Sequence, residues 1–450
     1  MQTSTGFNRP LVKAPPFYGQ WRLAGNPALF FDALAREFGD FVYCRGLFNF
    51  YLINHPALVK QVLKETHTHF DKHSIVYNRF RNAFGSGLVT AEGERWKRQR
   101  KLMQPLFNPV SVRHYFGLMK DSAEAMADRW EAHCRAARVF NVADDMSHIT
   151  LEIAGRALFS DGFDRVSDDV LRWSIIINHY SAVPPVPVIT NIHFPSLTNL
   201  KLKWALRQFD GFFHEMIERR RSGTEREDLL SHLLNARHEE TGEPMSEREL
   251  KEELLGMIIG GHETSSSALS WIWYELHRHP EVAARVVEEL HAVTGDGELT
   301  LDQLSDLKWT RMVIEETMRL HPPFWFENRN VMQEVELGGA RIPQGAIVVF
   351  SRYSLHRHPD FWQEPERFRP ERFERSKEEN PRSSCAYIPF GGGSRICIGN
   401  HFAMMELIVT VAVVLRRYKV IVDGSDRHRM TAHLTMVPRH GVRIRLEERS

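Results

Sequence analysis

The sequence predicts a mainly α-helical fold with small β-sheets. Three observations lead to this fold class: a mostly helical pattern over residues 93–279, one very long helix inside that range, and short strands outside it. The strand-like segments are rich in aromatic and β-branched residues, and they lie near the N-terminus and again after Arg341. No internal repeat, low-complexity segment or Gly/Ser linker divides the 450 residues, so nothing in the sequence marks a domain boundary.

The N-terminal fifth is expected to mix short helices and strands. Asn26 followed by Pro27 is typical of an N-cap and a first helical turn, and the pair predicts a helix that continues to Phe38. Residues 41–44 and 50–53 predict the two strands of a hairpin. A β-rich part is therefore expected near the N-terminus, and a helix-rich part in the remainder.

The longest helix is expected to end at His279. Ser246 followed by Glu249 forms a capping-box pattern at its start, and Pro280 is the first proline to interrupt it. At about 1.5 Å per residue, such a helix is about 50 Å long and crosses a whole domain. A further helix, residues 400–416, is predicted after a glycine-rich loop.

Composition places the chain among ordinary globular proteins. Hydrophobic residues make up 42% and charged residues 26%, which excludes disordered, collagen-like and disulfide-framework proteins. Lys and Arg number 58 against 57 Asp and Glu, and the resulting net charge of +1 argues against a nucleic-acid-binding protein. We find no secretory leader and no apolar run long enough to span a membrane. Four cysteines without a CxxC pair are typical of a reduced, cytoplasmic protein.

Cys397 lies in a glycine-rich segment, residues 390–399, just before a predicted helix. The glycines allow backbone angles that other residues cannot reach, so we expect a tight loop. A cysteine near a helix N-terminus and two residues from Arg395 is expected to have a lowered pKa and to be a thiolate. Such a thiolate is a candidate nucleophile, redox sensor or ligand of one soft metal. A purely structural turn is the alternative.

This segment, Phe-Gly-Gly-Gly-Ser-Arg-Ile-Cys-Ile-Gly, resembles at every defining position the haem-ligand loop of the cytochrome P450 family. The resemblance implies the cytochrome P450 fold, a single haem domain over residues 1–450, and heme b (iron protoporphyrin IX) as cofactor. It implies that Cys397 is the axial metal ligand, whose thiolate pushes electron density onto the iron. Other loop residues are implied to contact the cofactor, by binding a propionate, packing near the sulfur or shaping the loop: Arg395, Phe390, Gly391 and Gly399.

A second motif, Glu316-x-x-Arg319, places an acid and a base on one face of a helix with apolar flanks. Alone, such a pair is common on surface helices. In the family, an arginine from a downstream Pro-Glu-Arg-Phe completes the pair, and that sequence occurs twice here, with Arg367 and with Arg372. The spacing to Cys397 favours Arg372. The implied role is a structural salt-bridge triad beneath the haem.

A third motif lies midway along the long helix, where two glycines precede His262, Glu263 and Thr264. Paired glycines and a threonine lower helix stability, and sequences accept this mainly where function requires it. The segment resembles the oxygen-binding helix of P450s, which implies a locally opened helix, Glu263 and Thr264 as a catalytic proton-relay pair, and Gly260 beside the substrate. His262 is expected to be a bystander. Close helix packing at small residues is the alternative.

A fourth motif, Trp-x-x-x-Arg, contacts a haem propionate in the family, and Trp96 and Arg100 match it one helical turn apart. Arg329, ten residues after Arg319, is implied to bind a propionate as well. The other basic residues of 97–101 are expected to face solvent. If they surround the cysteine face, they would attract an acidic electron donor.

A proline-rich segment, residues 183–195, interrupts the helical pattern and predicts a loop. Its apolar content indicates a lid over something apolar, although a loop packed on its own domain explains the composition equally well. The family resemblance implies substrate contacts from this segment and from residues 74–88.

Further substrate contacts are implied after the second motif and near the C-terminus. Phe324 and Trp325 are expected to point toward the haem and to restrict an apolar pocket. Glu327 and His433 are candidates for polar contacts to the substrate. For each of these residues, ordinary core packing is the alternative.

The resemblance implies a haem-thiolate monooxygenase that inserts one oxygen atom from O2 into an apolar organic substrate, by hydroxylation or epoxidation. A lipid, a terpenoid, a steroid or another secondary metabolite would suit such an enzyme. One alternative is a peroxide-using or non-oxygenating haem-thiolate enzyme, and another is a haem-based sensor without turnover. Glu263 and Thr264 favour the monooxygenase, since the alternatives have no need of a proton-relay pair.

No nucleotide-binding or iron–sulfur pattern accompanies the haem-ligand loop, so no fused reductase is expected. Electrons are therefore expected from a separate redox partner, a ferredoxin or a flavodoxin with its reductase. The protein is expected to act as a cytoplasmic monomer, without nucleic acid and without a membrane span.

Overall fold

The computed structural model describes residues 7, 9–160, 163, 167–182, 191–223, 226–238, 242–374, 384–424 and 430–449. Fifteen α-helices lie within these ranges: α1 (Pro27–Phe38), α2 (Pro56–Lys60), α3 (Ile75–Phe84), α4 (Gly93–Met103), α5 (Pro109–Val112), α6 (Phe116–Arg135), α7 (Val142–Phe159), α8 (Ser167–Ala182), α9 (Leu197–Ser222), α10 (Leu229–Asn235), α11 (Glu247–Arg278), α12 (Pro280–Thr294), α13 (Lys308–Leu320), α14 (Arg352–Leu355) and α15 (Asn400–Arg417). None of these helices is both long and apolar enough to cross a lipid bilayer.

Short 3-10 or π turns connect many of the helices: Gln20–Ala24, Gln61–Glu65, His67–His69, Gln104–Phe107, Arg113–Tyr115, Asp302–Ser305, Pro370–Phe373 and Gly393–Arg395. The strands are β1 (Val12–Lys13), β2 (Phe41–Cys44), β3 (Phe50–Ile53), β4 (Phe70–Asp71), β5 (Phe140–Asn141), β6 (Phe326–Val331), β7 (Val335–Leu337), β8 (Ala340–Ile342), β9 (Ile347–Ser351), β10 (Tyr418–Val422), β11 (Met430–Ala432), β12 (Met436–Pro438) and β13 (Arg443–Glu448). The mainly helical fold class with small sheets is confirmed.

The N-terminal elements form where the sequence predicts them. The side chain of Asn26 accepts a hydrogen bond from the Leu29 amide and caps α1, and Pro27 occupies the first turn. Strands β2 and β3 pair as an antiparallel hairpin, with Phe41 opposite Ile53. The predicted helix and hairpin are therefore confirmed.

The largest sheet combines the N-terminal hairpin with strands from a distant part of the sequence. Its strand order is β1-β2-β3-β9-β6-β4, so two strands from residues 326–351 enter it. Strand β9 lies parallel to β3, with Leu52 opposite Val349. A parallel neighbour far along the chain leaves no turn signal in the sequence, because its connection is a long crossover.

The predicted long helix is α11, and it begins and ends as expected. Ser246 and Glu249 form both hydrogen bonds of a capping box, and His279 closes the helix before Pro280. Its buried face packs on α7, where the Thr150 hydroxyl donates to the His262 carbonyl at 3.0 Å. Helix α11 thereby runs through the core and carries the third sequence motif.

Glu406 on α15 is a buried acid that packs against α11. Its side chain is 1% exposed, and burial raises the pKa of Glu406 to about 8, while the nearby Ser265 hydroxyl opposes this rise. The folded state keeps a proton on Glu406 that the unfolded chain loses near pH 4.5. The contribution of this proton to the free energy of unfolding is therefore complete below pH 4.5 and decreases as the pH rises to about 8.

We therefore expect Glu406→Gln to flatten the pH dependence of stability. Between pH 4.5 and 8, the free energy of unfolding of the variant should fall less steeply than that of the wild type, by up to about 1.4 kcal/mol per pH unit. Urea titrations at several pH values measure both slopes. Equal slopes would contradict a neutral, buried Glu406.

Candidate active site

The loop that carries Cys397 is held in shape by its own backbone. The Cys397 amide donates to the Phe390 carbonyl at 2.8 Å, and the Gly391 amide donates to the Ile388 carbonyl at 2.9 Å. Gly391 and Gly393 have φ values of 77° and 66°, which favour glycine. At Gly393 an added Cβ would also lie 2.1 Å from the Leu63 carbonyl oxygen. The predicted tight loop is confirmed.

The expectation that Cys397 has a lowered pKa is wrong. Although the residue is accessible to solvent, the protein around its sulfur excludes enough water to raise the pKa of the thiol above its ordinary value. The Gly399 amide, Arg100 and Arg352 only partly oppose this rise. A thiol with these surroundings becomes a thiolate when it binds a metal ion, because the metal displaces the proton.

Helix α4 covers the loop with the two residues of the fourth motif. The Arg100 side chain donates to the Ile396 carbonyl at 2.9 Å. One turn earlier, the Trp96 ring lies 3.8 Å from the guanidinium carbon of Arg395. Arg395 also donates to the Ala91 carbonyl at 2.8 Å and to Glu92 at 2.6 Å. The structure thus brings Trp96, Arg100 and Arg395 together beside Cys397.

A cluster of buried and half-buried charges adjoins this loop. It contains four cations and two carboxylates: Lys72, Arg329, Arg352, Arg395, Glu92 and Glu327. Burial, together with Arg329 and Arg395, lowers the pKa of Lys72 to about 7. The carboxylates of Glu327 and Glu92 therefore do not fully stabilise the positive charge of Lys72. Among the described residues of this cluster, four basic side chains face two carboxylates, so positive charge is in excess. Heme b carries two propionates, so the charge of the cluster and the neighbouring sulfur fit this cofactor.

Glu327 is not available to a substrate, contrary to the sequence-based expectation. Its carboxylate pairs with both Arg329 and Arg352. Burial alone would raise the pKa of Glu327, but the two arginines have the larger combined effect and lower it to about 2. The sequence analysis also missed Lys72, Glu92 and Arg352, because no motif marks them and they come from distant segments.

The second motif forms a buried triad. Arg319 donates to both carboxylate oxygens of Glu316, at 2.7 and 2.9 Å, and both side chains are fully buried. The third partner is Arg372, whose Nε lies 3.2 Å from Glu316 Oε1. Arg367 instead pairs with Glu364 at the surface. Arg319 also donates to the carbonyls of His356 and Pro365, so the triad fastens α13 to the segment after α14.

The third motif lies on a regular part of α11. The Thr264 hydroxyl donates to the Gly260 carbonyl at 2.7 Å. The helix is continuous from Glu247 to Arg278, so the locally opened helix expected from the family is not present in this structure. His262 is fully buried, and burial lowers its pKa to about 4. A neutral imidazole in the core agrees with a packing role.

Glu263 is prepared to exchange a proton near neutral pH. Burial raises the pKa of Glu263 to about 7, and hydrogen bonds from Thr435 and Asn178 oppose the rise. An acid with a pKa near the working pH is well suited to general acid–base chemistry. Its neighbour Thr264 supplies a hydroxyl that both accepts and donates.

Comparison with known proteins decides which family this site belongs to. Residues 8–446 match the family described as Cytochrome P450. The chain belongs to the cytochrome P450 family. Its relatives include cyclooctat-9-en-7-ol 5-monooxygenase of Streptomyces melanosporofaciens, 34% identical over 89% of this chain and 86% of the relative. Pentalenene oxygenase of Streptomyces avermitilis is 31% identical over 97% and 96%.

Solved structures agree with this P450 assignment. The crystal structure of the cytochrome P450DA heme domain matches with a TM-score of 0.85 and 28% identity, over 98% of each chain. The protein is therefore a haem-thiolate monooxygenase of apolar organic substrates, and haem is its cofactor. The monooxygenase prediction from the sequence is confirmed.

This P450 has an apolar cavity of about 130 Å³ beside the N-terminal sheet. Trp325 and His433 both line it, and the Trp325 indole donates to the His433 carbonyl at 2.9 Å. Phe324 does not line the cavity. Its ring instead stacks on the Phe326 ring, with the ring centres 6.0 Å apart, and its ring centre lies 5.3 Å from the guanidinium carbon of Arg352. Most of the predicted lid, residues 183–190, lies outside the described residues.

Proposed function

We propose that this P450 inserts one oxygen atom from O2 into a terpenoid-type molecule. The relatives named for cyclooctat-9-en-7-ol and pentalenene oxidation support the substrate class. The cavity supports it as well, since its lining is mostly aromatic and aliphatic. The apolar lining favours a compact hydrocarbon skeleton over a polar metabolite.

The observation that carries the use of O2 is the pair Glu263 and Thr264. Haem held by Cys397 supplies the redox chemistry of oxygen activation when it is bound. Glu263, whose pKa is about 7, exchanges protons with the site, and the Thr264 hydroxyl donates a hydrogen bond at the oxygen site. A peroxide-using or non-oxygenating enzyme has no need of this relay.

Other residues of the site bind and position the cofactor in this proposal. Arg395, Arg329 and Lys72 hold the propionates, because their cluster has the surplus positive charge. Trp96 and Arg100 fasten α4 to the ligand loop. Phe390, Gly391 and Gly399 shape that loop around the sulfur, and Gly260 borders the oxygen site: these roles follow the family resemblance.

Electrons are proposed to come from a separate ferredoxin or flavodoxin with its reductase. Arg98 and Lys101 of α4 line a surface pocket together with Arg237 and His238. This basic surface suits an acidic electron donor. We further propose a cytoplasmic monomer, in which the buried Cys44 and Cys385 stay reduced.

Thr264→Ala tests the relay. We expect unchanged haem binding and substrate binding, a rate of product formation about 100-fold lower, and continued electron consumption that yields peroxide. The assay follows NAD(P)H, O2 and product together, with a ferredoxin or a flavodoxin and its reductase as donor, and a panel of terpenoid hydrocarbons and alcohols as substrates.

Thr264→Ser is the matched control, because it keeps the hydroxyl, and it should restore most of the coupling. Coupled turnover in Thr264→Ala would contradict the relay. Absence of turnover in the wild type with every competent donor would favour the haem-based sensor. Turnover supported by peroxide but not by either donor would favour the peroxide-using enzyme.

A further inference from the structure

The apolar cavity contains one buried guanidinium, that of Arg79 on α3. Its walls are otherwise mainly aromatic and aliphatic, with Phe31, Phe50, Phe80 and Trp325 among them. Arg79 is 1% exposed, so its charge lies inside the protein and not at the mouth of the cavity. An arginine is almost never fully buried unless it is paired.

Neighbouring groups fix the direction of this guanidinium but leave its outer end unsatisfied. The Arg79 Nε donates to the Tyr180 carbonyl at 2.6 Å, and the guanidinium carbon lies 4.0 Å above the Tyr180 ring. Both terminal nitrogens, Nη1 and Nη2, are buried without a hydrogen-bond partner among the described residues. The side chain is therefore held at one end and presents its two-pronged end to a ligand.

A charge in this position is costly without a counter-ion. Burial lowers the pKa of Arg79, yet a guanidinium stays protonated at any physiological pH. An unpaired charge in an apolar interior is strongly unfavourable, because the protein does not replace the water that solvates the ion. Within the described residues that line the cavity there is no Asp and no Glu. No acidic side chain of the described cavity wall neutralises the guanidinium.

We infer that Arg79 binds the carboxylate of an apolar substrate acid, which makes this cavity a binding site for a terpenoid acid or a fatty acid. The inference rests on the proposed function and adds a carboxylate to the substrate, whose apolar skeleton is either the proposed terpenoid or a fatty-acid chain. A carboxylate matches the two terminal nitrogens of an arginine in a bidentate pair, which is among the strongest charge-assisted arrangements. The hydrocarbon part of the acid contacts the aromatic walls.

Two residues of the cavity wall lie close in sequence to residues that contact Glu263. Ser181 and His433 line the cavity. Ser181 lies one helical turn after Asn178, and His433 lies two residues before Thr435, and Asn178 and Thr435 are the hydrogen-bond partners of Glu263. A carboxylate at Arg79 therefore fixes one end of the substrate while its chain extends toward Glu263.

Matched acids and alcohols test the inference on the haem-loaded enzyme. The probes are farnesoate and farnesol for a terpenoid, and dodecanoate and dodecan-1-ol for a fatty acid. Calorimetry and the substrate-induced change in the haem spectrum both report dissociation constants without turnover. We expect the wild type to bind at least one acid about 10-fold or more tightly than its alcohol, and the better acid identifies the skeleton.

Arg79→Gln should abolish the acid preference and leave alcohol binding within about threefold. Arg79→Lys should keep part of the preference, because it keeps the charge but not the two-pronged geometry. Arg81→Gln is the matched control on the same helix, since both of its terminal nitrogens are already bonded, to Asn78 and to the Lys72 carbonyl. It should keep the acid preference.

Equal affinity of the wild type for acids and alcohols would overturn the inference, and so would an acid preference that survives Arg79→Gln. The wild-type comparison stands even if a variant does not fold. Failure of the proposed function has a different signature: no probe is oxidised although acids bind tightly. Oxidation of the alcohols with no acid preference would remove the role of Arg79 alone.

Discussion

Cys397→Ala is expected to lose thiolate-bound haem completely. The reduced protein with carbon monoxide should show no strongly red-shifted Soret band, and substrate oxidation should fall to background. The reason is that the sulfur is the soft ligand that the loop presents, and a methyl group cannot bind iron. Absorption spectra and haem quantification on the purified variant measure both effects.

Two variants make the Cys397 result specific. Cys134→Ala removes another free and partly exposed cysteine, and it should keep the wild-type spectrum. Cys397→Ser keeps the size of the side chain and the loop hydrogen bond from the Cys397 amide to the Phe390 carbonyl, so a loss of the band in this variant is chemical and not structural. A thiolate-type band in Cys397→Ala would mean that a different cysteine binds the iron.

The elements with local signals were predictable from the sequence. Asn26 and Pro27 predict the start of α1, and the capping box of Ser246 and Glu249 predicts the start of α11. The glycines before Cys397 predict a tight loop. Each of these signals depends on residues only a few positions apart. The local structure therefore follows the signal unless tertiary packing favours a different conformation.

The remaining features depend on groups that meet only in the folded chain. The pKa of Cys397 rises because exclusion of water around its sulfur outweighs the hydrogen bond from the Gly399 amide, and no sequence motif reports that desolvation. Glu327 is occupied by Arg329 and Arg352, and Lys72 reaches the same cluster from a different segment. The unsatisfied end of Arg79 is likewise visible only once Tyr180 and the cavity wall are in place.

The Glu316–Arg319–Arg372 triad offers the second large effect, on stability. Arg319→Met leaves the fully buried carboxylate of Glu316 without its main partner, and it also removes the hydrogen bonds that reach His356 and Pro365. We expect the free energy of unfolding to fall by about 3–5 kcal/mol. Urea titration, followed by the haem spectrum and by circular dichroism, measures this loss.

The two Pro-Glu-Arg-Phe repeats supply a matched pair for the same experiment. Arg372 is 7% exposed and contacts Glu316, whereas Arg367 is 65% exposed and contacts only Glu364 among the ion pairs of the described residues. Arg372→Ala should therefore lower the free energy of unfolding by about 1–3 kcal/mol. Arg367→Ala should change it by less than about 0.5 kcal/mol. Equal losses at both positions would show that the repeat sequence matters and that the buried contact does not. Both variants make the same substitution five positions apart in one segment, so the difference between them measures the buried contact of Arg372 with Glu316 together with its hydrogen bonds to the carbonyls of Gln363 and Glu364.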